Sequence, residues 1–151
     1  MKIIFATLIV GALGCVAALA DTTTPAIIPQ PAKLALKEGV FKITSKTVIA
    51  ADAAGTDTAR SLAERLRRST GYPLKLSGSA VTDVILLTTN NAKASLGAEG
   101  YELIVRRDSV VIRAPAQAGL FYGVQSLLQS LPPAVFADKV TDNVARTIPA
   151  M

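Results

Sequence analysis

From Ile3 to Ala20 the sequence carries no charge, and this 18-residue run bounds everything that follows it. Lys2 gives the run a positive start, Ile3 to Leu13 is apolar apart from Thr7 and Gly11, and Ala18-Leu19-Ala20 supplies a small-x-small cleavage pattern before Asp21. These are the parts of a secretory signal, in the order that export requires. The run also reaches the lower limit for a membrane span. Its second half, however, is built from Ala and Gly rather than Leu and Phe, and no Lys/Arg cluster follows it as a stop. The expectation is a removed leader at residues 1–20, no stable membrane span, and a secreted or periplasmic product. Lipid attachment at Cys15 ranks below this reading. Leu13-Gly14-Cys15 resembles the end of a lipobox, but the apolar run continues past Cys15 and Ala12 is a poor residue at the first lipobox position.

Setting the leader aside leaves 131 of the 151 residues to fold, which is one domain. It is too short for a (β/α)8 barrel, which needs about 250 residues. The sequence has no His and no Trp, and its one Cys is Cys15 in the leader. Disulfides, Cys/His zinc sites and every Ser-His or Cys-His nucleophile are thereby excluded from the remaining chain. Without Lys2 it holds 15 Lys and Arg against 11 Asp and Glu. An excess of four positive charges is ordinary solubility charge and does not indicate a nucleic-acid partner.

Residues 21–26 read as a short polar linker. Ile27-Ile28-Pro29-Gln30-Pro31 is extended, because each Pro excludes its predecessor from the α region. Lys33 to Ile43 alternates and is expected to form two short strands turned at Glu38-Gly39, and Thr47 to Ala51 forms another. Ala59, Leu62, Ala63 and Leu66 fall at helical spacing and predict a helix over 54–70. Thr56 or Asp57 caps its start, Arg60–Glu64 and Glu64–Arg68 support its outer face, and Gly71 and Pro73 end it. Asp83 to Thr89 is a continuous apolar run of the kind found in strands buried on both faces. Tyr101–Arg107 and Val110–Arg113, turned at Asp108-Ser109, predict a hairpin. After Pro115, Leu120, Val124, Leu127, Leu128 and Leu131 make an apolar helical stripe that Pro132-Pro133 terminates. The economical arrangement for this order is α+β: a mostly antiparallel β-sheet with two amphipathic helices packed on one face.

Chemistry-bearing residues are sparse. The glycines fall singly and make no phosphate cradle. Glu99 and Glu102 are the closest acidic pair, but one precedes a strand and the other lies in it, so their carboxylates need not converge. Arg65, Arg67 and Arg68 are the densest basic cluster; without interleaved aromatic rings they read as the wet face of a helix. No catalytic, cofactor-binding or metal-ligating set emerges. Tyr122, Gln125 and Gln129 fall at i, +3 and +7 beside the leucine stripe, and Phe121 widens that face. These four residues are the candidate contact surface.

Three segments carry a resemblance. Ile27-Ile28-Pro29-Gln30-Pro31 with Gly39-Val40-Phe41, then Leu96-Gly97-Ala98-Glu99-Gly100-Tyr101-Glu102-Leu103, then Gly119-Leu120-Phe121-Tyr122-Gly123-Val124-Gln125-Ser126-Leu127-Leu128-Gln129-Ser130-Leu131-Pro132 resemble, in order and spacing, the N-terminal domain of bacterial β-N-acetylhexosaminidases, glycoside hydrolase family 20. Related accessory domains precede the barrels of some other glycosidases, and the Phe-Tyr-Gly-Val-Gln-Ser-Leu-Leu-Gln stretch favours the hexosaminidase version.

The resemblance implies a non-catalytic domain that abuts a (β/α)8 barrel. That barrel removes terminal β-linked N-acetylhexosamine by a substrate-assisted route: the sugar's own acetamido group attacks while a Glu protonates the leaving oxygen and an adjacent Asp orients the acetamide. The family's Asp-Glu dipeptide has no counterpart here, and its sugar-stacking Trp residues are missing. The expected organisation is a signal peptide at 1–20, a linker at 21–26, an accessory domain at 27–133, and a linker at 134–151 toward an absent catalytic barrel. The chain alone is expected to be inactive. The rival reading is a stand-alone binding module for amino-sugar glycans, resting on few rings: Phe41, Tyr72, Tyr101, Phe121, Tyr122 and Phe136.

Overall fold

The computed structural model describes residues 25–78, 82–142 and 144–151. The expected leader and most of the 21–26 linker lie outside the described residues. Among the described residues, seven strands and two helices follow one another as β1 (Val40–Lys42), β2 (Val48–Ala51), α1 (Thr56–Thr70), β3 (Leu76–Ser77), β4 (Val84–Thr88), β5 (Glu102–Val105), β6 (Ser109–Arg113), α2 (Gln117–Gln129) and β7 (Thr147–Pro149). Short 3-10 turns at Ala53–Gly55, Ala94–Leu96 and Pro133–Phe136 join them.

The fold is α+β. Five strands form one sheet in the order β3-β2-β4-β6-β5, and β1 pairs with β7 in a two-stranded ribbon. The ribbon and the β5–β6 hairpin are antiparallel, as expected. The expectation of a mostly antiparallel sheet understates the rest: β2 runs parallel to β3 and β4, and β4 parallel to β6. The cause is connectivity. Helix α1 carries the chain from the end of β2 back across the sheet, so β3 and β4 enter in the same direction, and β5, running back before β6, leaves β6 parallel to β4.

One face of the sheet is built in rows. Ile49, Ile85, Val110 and Val105 are register partners across β2, β4, β6 and β5, and Ala51, Leu87, Ile112 and Leu103 form the row beside them. Both helices lie against this face, α1 over β2 and β3 and α2 over β5 and β6, and they touch each other. Leu62 and Leu66 from α1 and Leu120 and Leu127 from α2 are at most 1% exposed. Each such side chain contributes about 1.5–3 kcal/mol of burial.

Local chemistry sets the element ends. The first helix stops where Gly71 turns left-handed (φ 71°) and its N–H returns to Arg67 O at 2.9 Å. Arg67 then locks the exit by donating to Pro73 O and Leu74 O, both at 2.8 Å. Its start differs from the expected cap: neither Thr56 nor Asp57 caps it, and Asp52 instead caps the 3-10 turn leading in, accepting from Gly55 N at 3.1 Å. Only one strand, β1, forms in 33–43, because Lys33–Leu36 has no partner strand to give its alternation a ladder.

Residues 134–151 are expected as a linker, but the fold takes up the described parts of that stretch, 134–142 and 144–151. The turn Pro133–Phe136 packs on α1 and buries Val135. Arg146 donates to Thr141 O at 2.6 Å and to Ser69 O at 3.4 Å, and its guanidinium sits 5.2 Å over the Tyr72 ring. Ile148 in β7 is fully buried opposite Phe41. Met151 exchanges two backbone hydrogen bonds with Val105, at 2.9 and 3.2 Å, which joins the ribbon to the sheet's β5 edge. A three-residue strand ending in Pro leaves no period to read, so its partner alone defines it.

Candidate interdomain surface

The second helix contains no charged residue at all. It begins after Pro115, with Ala116 extended at the N-cap and offering no side-chain cap. Two glycines bring it close to the sheet. A Cβ at Gly123 would collide with Ile112 Cγ2 and one at Gly119 with Gly100 O. With the backbone so near, the apolar stripe Leu120, Val124, Leu127 and Leu128 is buried, and Ser126 hydrogen-bonds the Tyr101 hydroxyl.

The opposite side of the helix faces outward. Phe121 is 49% and Tyr122 43% exposed. Their rings meet edge-on, 5.7 Å apart at 70°. Such an arrangement keeps two large apolar surfaces ordered while leaving them wet. Gln125, one turn on, is half-buried. Gln129 does something different: its Oε1 accepts from Ile28 N at 2.7 Å and its Nε2 donates to Ile28 O at 3.1 Å. Of the four candidate residues, the structure thus joins Phe121 to Tyr122, sets Gln125 along the same helix, and engages Gln129 with the N-terminal segment.

The other charged candidates resolve into separate tasks. Arg65 stands 3.7 Å from Asp138, Arg67 is spent on the helix exit, and Arg68 is exposed, so the three do not act as one patch. The predicted Arg60–Glu64 pair gives way to Arg60–Asp57 at 2.9 Å. Glu102 is held by Lys93 at 2.6 Å, and Glu99 is exposed in the preceding loop. Among the described residues, no three Asp, Glu, Cys or His side chains gather as metal ligands do.

The family model for glycosyl hydrolase family 20, domain 2, matches residues 24–151. The chain belongs to that family, as its domain 2. It is 32% identical over 111 residues to a β-hexosaminidase of Porphyromonas gingivalis, a match covering 72% of this chain and 14% of that protein. Among solved structures it is similar to the Streptomyces plicatus N-acetyl-β-hexosaminidase (TM-score 0.71, 35% identity, 82% of this chain, 26% of that one). The family 20 β-N-acetylhexosaminidase of Streptomyces coelicolor A3(2) gives a TM-score of 0.70 at 33% identity, with 80% and 25% covered. This family 20 domain therefore spans about a quarter of those two chains and a smaller share of the Porphyromonas protein.

One acidic residue of the family 20 domain escaped sequence reasoning. Asp52, at the end of β2, takes hydrogen bonds from Thr89 N, Thr89 Oγ1 (2.9 Å), Gly55 N and Thr88 Oγ1 (3.1 Å). Burial pushes its carboxyl up, but the bonds from Thr89, Gly55 and Thr88 outweigh that and hold it below the ordinary 3.8. Its oxygens are committed to clasping the end of β4 to the entry of α1. The legible signal was Asp-Ala-Ala-Gly, an acceptor three residues before a glycine N–H.

Proposed function

We propose that this chain is an exported, non-catalytic accessory domain of a β-N-acetylhexosaminidase, and that the outer face of α2 leans on the enzyme's catalytic (β/α)8 barrel. The parent enzyme would remove terminal β-linked N-acetylhexosamine from chitin-like oligosaccharides or glycoconjugates. One observation carries the reading: the charge-free second helix displays Phe121 and Tyr122 as an ordered, half-exposed aromatic pair. A helix finished for water places charge on its outer face; a helix finished for a neighbour places rings there. The leader at residues 1–20 supports export.

The test is a chimera in which this chain replaces the matching quarter of the Streptomyces plicatus enzyme. The chimera is expected to be soluble and to hydrolyse a chromogenic N-acetylglucosaminide, while the isolated chain shows no turnover. Replacing Phe121 and Tyr122 by Ser is expected to shorten the chimera's activity half-life on heating. Turnover by the isolated chain, or a chimera indifferent to the double replacement, would overturn the reading.

A further inference from the structure

We infer that Gln129 is a positioning residue, and that the apolar side chain it presents to the neighbouring domain is Ile28. Both backbone groups of Ile28 are satisfied by the one amide of Gln129, which acts as a short piece of strand edge. With its backbone held there, Ile28 is 78% exposed while Ile27 before it is 6% exposed. The chain bends at Ile28 and Pro29, and this turns Ile27 inward as the anchor while Ile28 is displayed. Ile28 is the most exposed large apolar side chain among the described residues. Gln129 offers the partner little itself, because one N–H and the carbonyl oxygen of its amide are engaged within the chain.

This inference rests on the reading above, and the occupant is the catalytic domain of the same polypeptide. Three observations select it. After the turn at Ala114–Ala116, α2 runs back along β6, from Ala114 and Gly100 at Gly119 to Tyr101 and Ile112 at Gly123, and so heads toward the Val105–Val110 end of the hairpin. Met151 is bonded to Val105 at that same end, so chain continuing from Met151 would leave the sheet at the end toward which α2 runs. The similar Streptomyces chains are about four times as long as the portion matched here. Since α2 is uncharged and Ile28 is apolar, the matching surface on that domain is apolar as well.

The experiment uses the isolated chain and the chimera together. In the isolated chain, Q129A is expected to speed hydrogen exchange at the Ile28 amide by about tenfold or more, leaving the unfolding midpoint in place. The variant I28S keeps that amide protected, because the clasp is to backbone. In the chimera, Q129A and I28S are each expected to shorten the activity half-life about tenfold, and the double variant no further than either alone. Q129E, which keeps the acceptor and loses the donor, is expected between wild type and Q129A. Half-life losses that multiply in the double variant would overturn the inference, because Gln129 would then touch the neighbour directly. Equal half-lives for Q129A and wild type would overturn it too. If the unaltered chimera is no more stable than the enzyme lacking the matched region while the Ile28 amide stays protected, the accessory-domain reading falls, and the docking role with it.

Discussion

The two helices share an inner face and differ on the outer one. Each sinks a leucine-centred stripe into the same side of one sheet. Outside, α1 carries Asp57, Arg60, Glu64, Arg65, Arg67 and Arg68, whereas α2 carries no charge and shows two rings. Their starts differ as well: α1 is led in by the Asp52 clasp, and α2 has no side-chain cap. The core imposes the inner similarity. On the proposed reading, what lies beyond the core accounts for the outer difference: water for α1 and a neighbouring domain for α2.

The largest test concerns the shared inner face. Leu62→Ala on α1 and Leu120→Ala on α2 are each expected to cost about 2–5 kcal/mol in urea unfolding. A much cheaper change on α2 would mean that its inner stripe is not core, and the comparison would break. Next comes the clasp. Asp52→Ala is expected to cost about 1–2 kcal/mol. Because the folded carboxyl protonates at lower pH than the unfolded one, its stabilisation is complete above about pH 4 and fades as acid takes the folded group through its lowered pKa. The acid limb of the stability curve is therefore expected to be shallower in Asp52→Asn. On the uncapped helix, Ala116→Ser is expected to add about 0.5–1 kcal/mol, read as a raised thermal midpoint. The isolated chain is expected to self-associate in sedimentation and to bind hydrophobic dye, and Phe121→Ser with Tyr122→Ser is expected to reduce both while moving stability by under about 0.5 kcal/mol each. A monomeric, dye-free wild type would remove the distinction between the two outer faces. The smallest effect belongs to α1: Arg60→Ala breaks the exposed pair with Asp57 for about 0.3 kcal/mol.

What sequence could reveal was local. The α1 stripe, its stop at Gly71, the buried β4 run, the β5–β6 hairpin and the α2 stripe all repeat within a dozen residues, and the structure keeps each of them. The parallel pairings and the β1–β7 closure join residues far apart in the chain, and no period marks such a union. The same limit governed the surface. Phe121 and Tyr122 follow from the helical wheel. The engagement of Gln129 spans 101 residues to Ile28 and needed coordinates. Asp52 lay between the two cases, its bond to Gly55 local and those to Thr88 and Thr89 remote.

The pairing of β1 with β7 has a consequence for the order of synthesis. Thr147 is translated 105 residues after Lys42. At roughly 5–20 residues per second, Phe41 waits roughly 5–20 s on the ribosome for the strand that covers it. During that interval the middle of the chain already holds what it needs to collapse, while its opening strand stays available to chaperones or to a wrong partner.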